Sequence, residues 1–374
     1  MRILQVGKYF PPHRGGIETV TYEMAKALPN PEGEFYVDTL CFADSCRSST
    51  LEGTGGRLIL KATLFTLFSM AISFEYIMYL ITRGRKYDLV HLHYPNPLGL
   101  LCLLALPRRV KIVIHWHSDI VKQKNLEILL RPLVKLSMSK ASLVIAPTQA
   151  HFSGPLFSQK IRSKCKIMPF ILNLHESEPV DTDLVSVVKK TYSGRRIIFS
   201  SGRHVRYKGF EYLIAAAKKL PQDVVVLIGG SGPNTSEYRA LIKDLSLQDK
   251  VFLLGGLNDK VQLAHFDACD VFCLASVDRS EMLGLVQLEA MARGKPVVST
   301  RIRGSGVPLI NKNEVTGLLV EPADPSAIAA AIMRILEDND LYKRLASNCS
   351  EYLKAEVSRF VIVERYRNLY RALI

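Results

Sequence analysis

Residues 273–300 read CLASVDRSEMLGLVQLEAMARGKPVVST, and their reading decides the fold. An apolar run from Asp270 to Ala275 has the character of a buried strand, and a polar turn follows it. A helix begins between Met282 and Gly284, Gly294 stops it, and a new apolar strand starts at Pro296. This is one βαβ unit of an open parallel sheet, whose ligands bind beyond the carboxyl ends of the strands. Glu281 precedes the helix and Glu289 comes eight positions later. At 1.5 Å per residue that spacing is about 12 Å, roughly the length of a sugar diphosphate. Between the two acids, the backbone N–H groups of Gly284, Leu285 and Val286 fill the first turn, where the helix dipole favours an anion. Taken singly, Glu281 could complement the dipole, Glu289 could be a solvated helical residue and Gly284 a packing glycine. In this order they point to a ligand with hydroxyls at both ends of a phosphate group.

Outward from this unit the same alternation continues. RIIFSSG, VVVLIGG and VFLLGG precede it as strands, and helices follow Asp324. Residues 1–172 show a separate series of RILQVG, FYVDTLC, DLVHLH, KIVIHW and SLVIAP with helices between. Strand and helix in alternation predict an α/β fold of two doubly wound parallel sheets. The expected organisation is a first domain over 1–172, a polar and acidic linker over 173–195, and a second domain over 196–357. Residues 358–374 form a last helix with apolar Phe360, Val363, Tyr366, Leu369 and Tyr370 at helical spacing, expected to pack back on the first domain.

With 374 residues, 48% hydrophobic and 22% charged, the chain is long enough for two full cores and is not a disordered polypeptide. Seven scattered cysteines with no paired spacing predict thiols in a reducing compartment, read as cytoplasmic. MRILQVG is already a strand, so no secretory leader is expected. The formal charge of +14 implies an anionic partner. No nucleic-acid motif and no aromatic-studded basic stripe accompanies it, which favours an acidic membrane surface. Residues 64–81, LFTLFSMAISFEYIMYLI, are near the length of a membrane span, but Glu75 lies in the middle. The preferred reading is a helix lying on the membrane face, and an ordinary core helix is the alternative. The run 97–106 is too short to span and is expected to pack on the sheet.

Several other groups could carry chemistry. Gly15 and Gly16 precede the first helix in GKYFPPHRGGIETV, where backbone can approach a phosphate. Arg203 and Lys208 follow a strand in GRHVRYKGFEYLIAA and could neutralise a diphosphate. GGSGP at 229–233 follows the next strand in the same way. His91 with His93, and His115 with His117, end two strands. Four imidazoles could bind zinc, so a zinc-dependent hydrolase is the alternative from another class. It would need bridging carboxylates, for which only Asp88 and Asp119 are near in sequence. The other reading of His91 and His93 is as hydrogen-bonded core residues. DTD at 181–183 and DND at 338–340 resemble a metal-diphosphate clamp but end no apolar strand, and surface turns explain them.

GKYFPPHRGGIE, HLHYPNPL, HWHSDIVKQK, GRHVRYKGFEYLIAA, GGSGP, SEMLGLVQLEAMARGKPVV and VTGLLVEPADP together resemble the retaining glycosyltransferases of family 4, over nearly the whole chain. HWHSDIVKQK and the first loop look most like the bacterial O-antigen mannosyltransferases of that family. The resemblance implies the GT-B architecture, two Rossmann-like domains facing across a cleft. It implies that Arg203 and Lys208 clamp the donor diphosphate, aided by Gly16 and the amides of Gly284, Leu285 and Val286. Glu289 would then bind the ribose, Glu281 the hexose, and His117 would lie beside the sugar as the catalytic histidine. The loop carrying Gly256 and Leu257 would border the base. Where the family usually has Glu-Gly-Phe-Gly, Glu281 is here followed by Met282, Leu283 and Gly284. The implied activity is metal-independent transfer of mannose from GDP-mannose to a lipid-linked oligosaccharide, at the inner face of the plasma membrane and without a cofactor. A UDP-sugar donor is the alternative, and a non-catalytic sugar-nucleotide-binding protein lies outside the enzyme class.

Overall fold

The computed structural model describes residues 1–13, 15–67, 70–118, 124–174 and 178–374. Asp119 and the segment 119–123 therefore lie outside the described residues. The chain divides into two compact units, one of Met1–Asn173 with Arg359–Ile374, the other of Leu174–Ser358.

The first unit carries β1 (Arg2–Val6), β2 (Tyr36–Phe42), β3 (Ser49–Gly53), β4 (Gly56–Lys61), β5 (Phe65–Leu67) and β6 (Met70–Ile72). Then come β7 (Leu89–Tyr94), β8 (Lys111–Trp116), β9 (Leu143–Ala146) and β10 (Cys165–Ile167). Its helices are α1 (Gly16–Ala27), α2 (Phe74–Arg83), α3 (Pro97–Leu103), α4 (Lys124–Lys140) and α5 (Gln159–Arg162). Eight strands form one sheet in the order β10-β9-β8-β7-β1-β2-β4-β3, parallel except where β3 pairs with β4. Strands such as LVHLHY are buried along their whole length because helices cover both faces. The strand order reverses between β1 and β7. There Asn96 caps α3 and also donates to the Gly7 carbonyl (2.9 Å) and to Tyr76 Oη (2.8 Å).

The stretch 64–81 is not one helix. Residues β5 and β6 pair as an antiparallel hairpin, and α2 starts only at Phe74. Ser73 is extended (φ −147°) and its Oγ accepts the Tyr76 N–H, so a side-chain cap restarts the chain as a helix. Among the described residues no helix is long and apolar enough to cross a membrane. The run at 97–106 does pack inward, with Leu100, Cys102 and Leu103 in the core.

The second unit carries α6 (Thr182–Thr191), β11 (Arg196–Ser201), α7 (Phe210–Ala217), β12 (Val224–Gly229), α8 (Thr235–Asp244) and β13 (Val251–Gly255). It continues with α9 (Asp259–Ala268), β14 (Val271–Leu274), α10 (Leu285–Ala292), β15 (Val297–Thr300), α11 (Val307–Ile310) and β16 (Gly317–Val320). Helices α12 (Pro325–Glu337) and α13 (Asn339–Tyr352) close it. All six strands are parallel, in the order β13-β12-β11-β14-β15-β16. This is the 3-2-1-4-5-6 order of a dinucleotide-binding sheet, with its switch point between β11 and β14.

The region read as a linker contains α6. Asp181 of the DTD triplet caps it by accepting the Leu184 N–H (3.0 Å), and α6 packs against α9. Its text is polar because only one side of the helix is covered, with Val188 buried. Asp338 of DND caps α13 in the same way (Leu341 N–H, 2.9 Å). The last helix, α14 (Arg359–Arg371), buries Val363, Tyr366, Leu369 and Tyr370 in the first unit, but Phe360 points outward at 77% exposure. Ile362 takes the inward position instead.

Candidate active site

At the switch point of the second unit two loops meet. The loop after β11 leads through Arg203 and a short three-ten turn (Arg206–Lys208) into α7, and the loop after β14 leads into α10. Val277 N–H donates to the Tyr207 carbonyl (2.8 Å), which ties the loops together. Gly209 sits at φ +64°, and a Cβ there would lie 2.1 Å from the Ala275 carbonyl oxygen. Only glycine lets the loops approach so closely.

Across this junction Lys208 Nζ lies 2.6 Å from Glu281 Oε2, and Ser276 Oγ donates to the same oxygen at 2.8 Å. Both charged side chains are about nine-tenths buried. Burial works against the Lys208 charge, yet Glu281 foremost, with Tyr207 and Glu289, holds its pKa above the ordinary lysine value. The Glu281 backbone is fixed as well, because Ser305 Oγ donates to its carbonyl and the Met282 carbonyl accepts from Gly306 N–H (2.7 Å). Met282 and Leu283 are buried, so the departure from Glu-Gly-Phe-Gly fills space inside the unit.

Helix α10 starts after Gly284, which is left-handed (φ +67°). The Leu285 and Val286 amides open its first turn, where a helix has no acceptor for them, and the Gln287 N–H donates to the Gly284 carbonyl (2.9 Å). Glu281 therefore stands before the helix, and the rise per residue does not measure its distance from Glu289. Glu289, on α10, accepts from Gln262 Nε2 (2.9 Å), and Gln262 Oε1 accepts from Ser201 Oγ (3.2 Å). One chain of hydrogen bonds thus joins the end of β11, α9 and α10. Arg203 is exposed on the loop after β11. Gly256 and Leu257 follow β13, with Leu257 packed close to Gly229.

In the first unit Gly16 opens α1, and the four histidines converge. Strands β7 and β8 pair with His93 opposite His115, and the His115 and His117 rings lie 4.4 Å apart. His91 Nε2 contacts His115 Nδ1 (3.2 Å), and His93 Nδ1 contacts His117 Nε2 (2.8 Å). Tyr370 Oη reaches His91 Nδ1 (2.7 Å) and Tyr366 Oη reaches His115 Nε2 (3.5 Å). All four are buried, and desolvation pushes each pKa down, His91 to about 3. They are neutral imidazoles. His91, His93 and His115 have ligand atoms within 4.8 Å of one another, close enough for one ion. The bridging carboxylate of a hydrolase is not Asp88, which precedes β7, at the opposite end from His93, and accepts the Arg2 N–H (2.7 Å).

Residues 14–153 match the family model "Glycosyltransferase Family 4", and residues 182–352 match "Glycosyl transferases group 1". The chain belongs to the GT-B glycosyltransferases. It is 28% identical to the O-antigen chain mannosyltransferase C of Escherichia coli, covering 100% of this chain and 99% of that protein. Identity to the D-rhamnosyltransferase WbpZ of Pseudomonas aeruginosa is 26%, over 100% and 93%. The crystal structure of Anabaena HepE in complex with UDP superposes with a TM-score of 0.78 over all of both chains at 21% identity, a likeness of fold.

In this glycosyltransferase the switch point brings together Lys208, Glu281, Glu289 and the α10 amides. Arg203, Gly256 and Leu257 follow strands of the same sheet, whereas Gly16 and His117 belong to the other unit. Sequence reading missed Ser276, Ser305, Gln262 and Ser201, which orient the two acids. Gln262, Ser201 and Ser305 are polar residues whose partners lie on other elements, and Ser276 stands five residues before Glu281 in the same loop. The one available signal was position, since Ser201 and Ser276 stand at the carboxyl ends of β11 and β14.

Proposed function

We propose that this glycosyltransferase retains configuration at the sugar and moves mannose from GDP-mannose to a lipid-linked oligosaccharide in O-antigen assembly, while associated with the inner face of the membrane. The observation that carries the reading is the buried Lys208–Glu281 pair at the switch point, beside the start of α10. Mannose and O-antigen are supported by full-length similarity to the E. coli O-antigen chain mannosyltransferase.

In this scheme Arg203 and Lys208 neutralise the diphosphate, with Gly16 and the amides of Gly284, Leu285 and Val286. Glu289 holds the ribose hydroxyls, and Gly256 and Leu257 border the base. Glu281 holds the hexose through its second oxygen, the first being bound by Lys208 and Ser276. The C1–phosphate oxygen bond breaks and the acceptor oxygen bonds to C1 from the same face, its proton passing to the departing phosphate. Cations and amide dipoles stabilise the charge that develops there, so no metal is required. His117, buried and neutral, serves the transfer step as a hydrogen-bonding group.

The test is incubation with a panel of nucleotide sugars in the presence of a chelator. GDP-mannose is expected to be slowly hydrolysed without acceptor, and GDP to compete better than UDP. Turnover of UDP-sugars alone would favour the second reading, which the UDP complex of the structurally similar HepE supports. Chelator-sensitive hydrolysis without glycosyl transfer would overturn both.

A further inference from the structure

Among the described residues, His91, His93 and His115 bring metal-ligand atoms together, their nitrogens lying within 4.8 Å of one another. His91 and His93 are two apart on β7, and His93 pairs with His115 of β8, so the three rings share one face of the sheet. All three are buried. Zinc–imidazole bonds of about 2.0–2.1 Å place two nitrogens of a tetrahedral ion about 3.3 Å apart. His91 Nε2 and His115 Nδ1 already stand 3.2 Å apart.

A metal-bound imidazole is oriented by what its other nitrogen holds. His91 turns Nδ1 to Tyr370 Oη (2.7 Å), and His115 turns Nε2 toward Tyr366 Oη (3.5 Å). The nitrogens left over on these two rings are the pair 3.2 Å apart. His93 has Nδ1 on His117 Nε2 (2.8 Å), and its own Nε2 is buried with no hydrogen-bond partner. Without an ion, a proton between His91 and His115 satisfies those two rings, because each phenol can donate or accept. It does nothing for His93 Nε2, and a buried nitrogen left unpaired is costly. An ion between the rings satisfies all three. Desolvation keeps the imidazoles neutral, the form that binds metal. No carboxylate belongs to the group, so magnesium and calcium lack their usual ligands, whereas imidazole suits zinc, nickel and copper.

We propose that His91, His93 and His115 bind one late first-row transition-metal ion, zinc foremost, with Tyr370 and Tyr366 of α14 holding the outer nitrogens of two of the rings. The ion is structural. It joins β7 to β8 and, through the phenols, fixes the C-terminal helix to the sheet. It takes no part in glycosyl transfer, and its test uses neither donor nor acceptor.

The untagged full chain is stripped with a chelator, dialysed, and titrated with zinc, cobalt or magnesium. One zinc per chain is expected to survive gel filtration and to raise the unfolding midpoint, because the ion binds the folded chain. Magnesium should do neither. Cobalt should give the visible absorption of an imidazole-ligated ion, a readout on the parent chain that does not depend on any variant folding. His91→Phe and His93→Phe should each lose the ion. Tyr370→Phe keeps all three ligands and should weaken binding by about 10–100-fold. Zinc should also slow proteolysis just before residue 359. A parent chain that retains no zinc and shows neither a shifted midpoint nor a cobalt band would overturn the proposal, leaving the cluster a hydrogen-bonded one. So would zinc held at full affinity by folded His91→Phe and His93→Phe, because the ion would then sit elsewhere.

Discussion

Lys208 and Glu281 follow different strands, β11 and β14, yet their side chains meet at 2.6 Å in a buried setting. A pair of this kind is costly to break from one side, because the survivor is left charged and without its partner. Lys208→Met should lower stability by ~3–5 kcal/mol and abolish transfer. Glu281→Gln keeps a hydrogen-bonding side chain and should lose transfer by about two orders of magnitude while nucleotide affinity changes little. Equal losses of affinity and of turnover in Glu281→Gln would show that the carboxylate serves the nucleotide and not the sugar.

Arg293 forms a two-pronged pair with Asp267, at 2.6 and 2.8 Å, and both side chains are more than nine-tenths buried. It lies at the far end of α10 from Glu281. Arg293→Ala is expected to cost ~3–5 kcal/mol in denaturant unfolding with no change in nucleotide affinity of the folded protein. A changed affinity would place this pair in the site.

Gly209 holds the approach of the two loops. Gly209→Ala puts a methyl against the Ala275 carbonyl at a positive φ. The left-handed backbone alone costs ~1–2 kcal/mol, and the clash with the Ala275 carbonyl is expected to add to that loss, with Lys208 displaced and donor hydrolysis reduced. Full hydrolysis in this variant would mean that the loop can move without penalty.

The histidine cluster should make the first unit acid-labile. The folded-state pKa values of His91, His93, His115 and His117 lie below the ordinary 6.5, so below that pH the unfolded chain binds protons that the folded chain does not. Stability present above pH 6.5 is lost as pH falls, for His91 down to about 3. Each histidine contributes ~1.4 kcal/mol per pH unit in that window. Urea unfolding between pH 7 and about pH 5 measures the slope, and His93→Phe should flatten it. Equal stability at the two pH values would refute the neutral cluster.

Tyr370 carries the C-terminal helix into this cluster. Tyr370→Phe leaves His91 Nδ1 buried without its phenol and should cost ~1–3 kcal/mol. Arg367 also ties α14 to the end of α1 through the Ala27, Leu28 and Pro29 carbonyls, so the helix should stay docked in this variant. Proteolysis just before residue 359 at the parent's rate would confirm that it does.

The alternation of buried strands and helices was legible in the chain because a parallel sheet covered on both faces needs unbroken apolar strands, and VVVLIG or LVHLHY can be little else. The loops that follow them, with Lys208, Glu281 and the α10 start, were legible for the same reason, since ligand sites of such sheets lie at strand ends. Local composition also misled. Residues 64–81 read as one apolar helix, but the Ser73 cap and the pairing of Leu64 N–H with the Ile72 carbonyl (2.9 Å) divide them, and the acidic text around Asp181 hid α6. What the sequence by itself determined was which segments are strands, which are helices, and which loops carry charge, because those follow from neighbours a few residues apart. Only the tertiary structure decided that Lys208 is bound to Glu281, that Gln262 orients Glu289, and that four histidines share one neutral cluster. Those contacts depend on which strands lie side by side, and strand order is set by packing across the whole sheet.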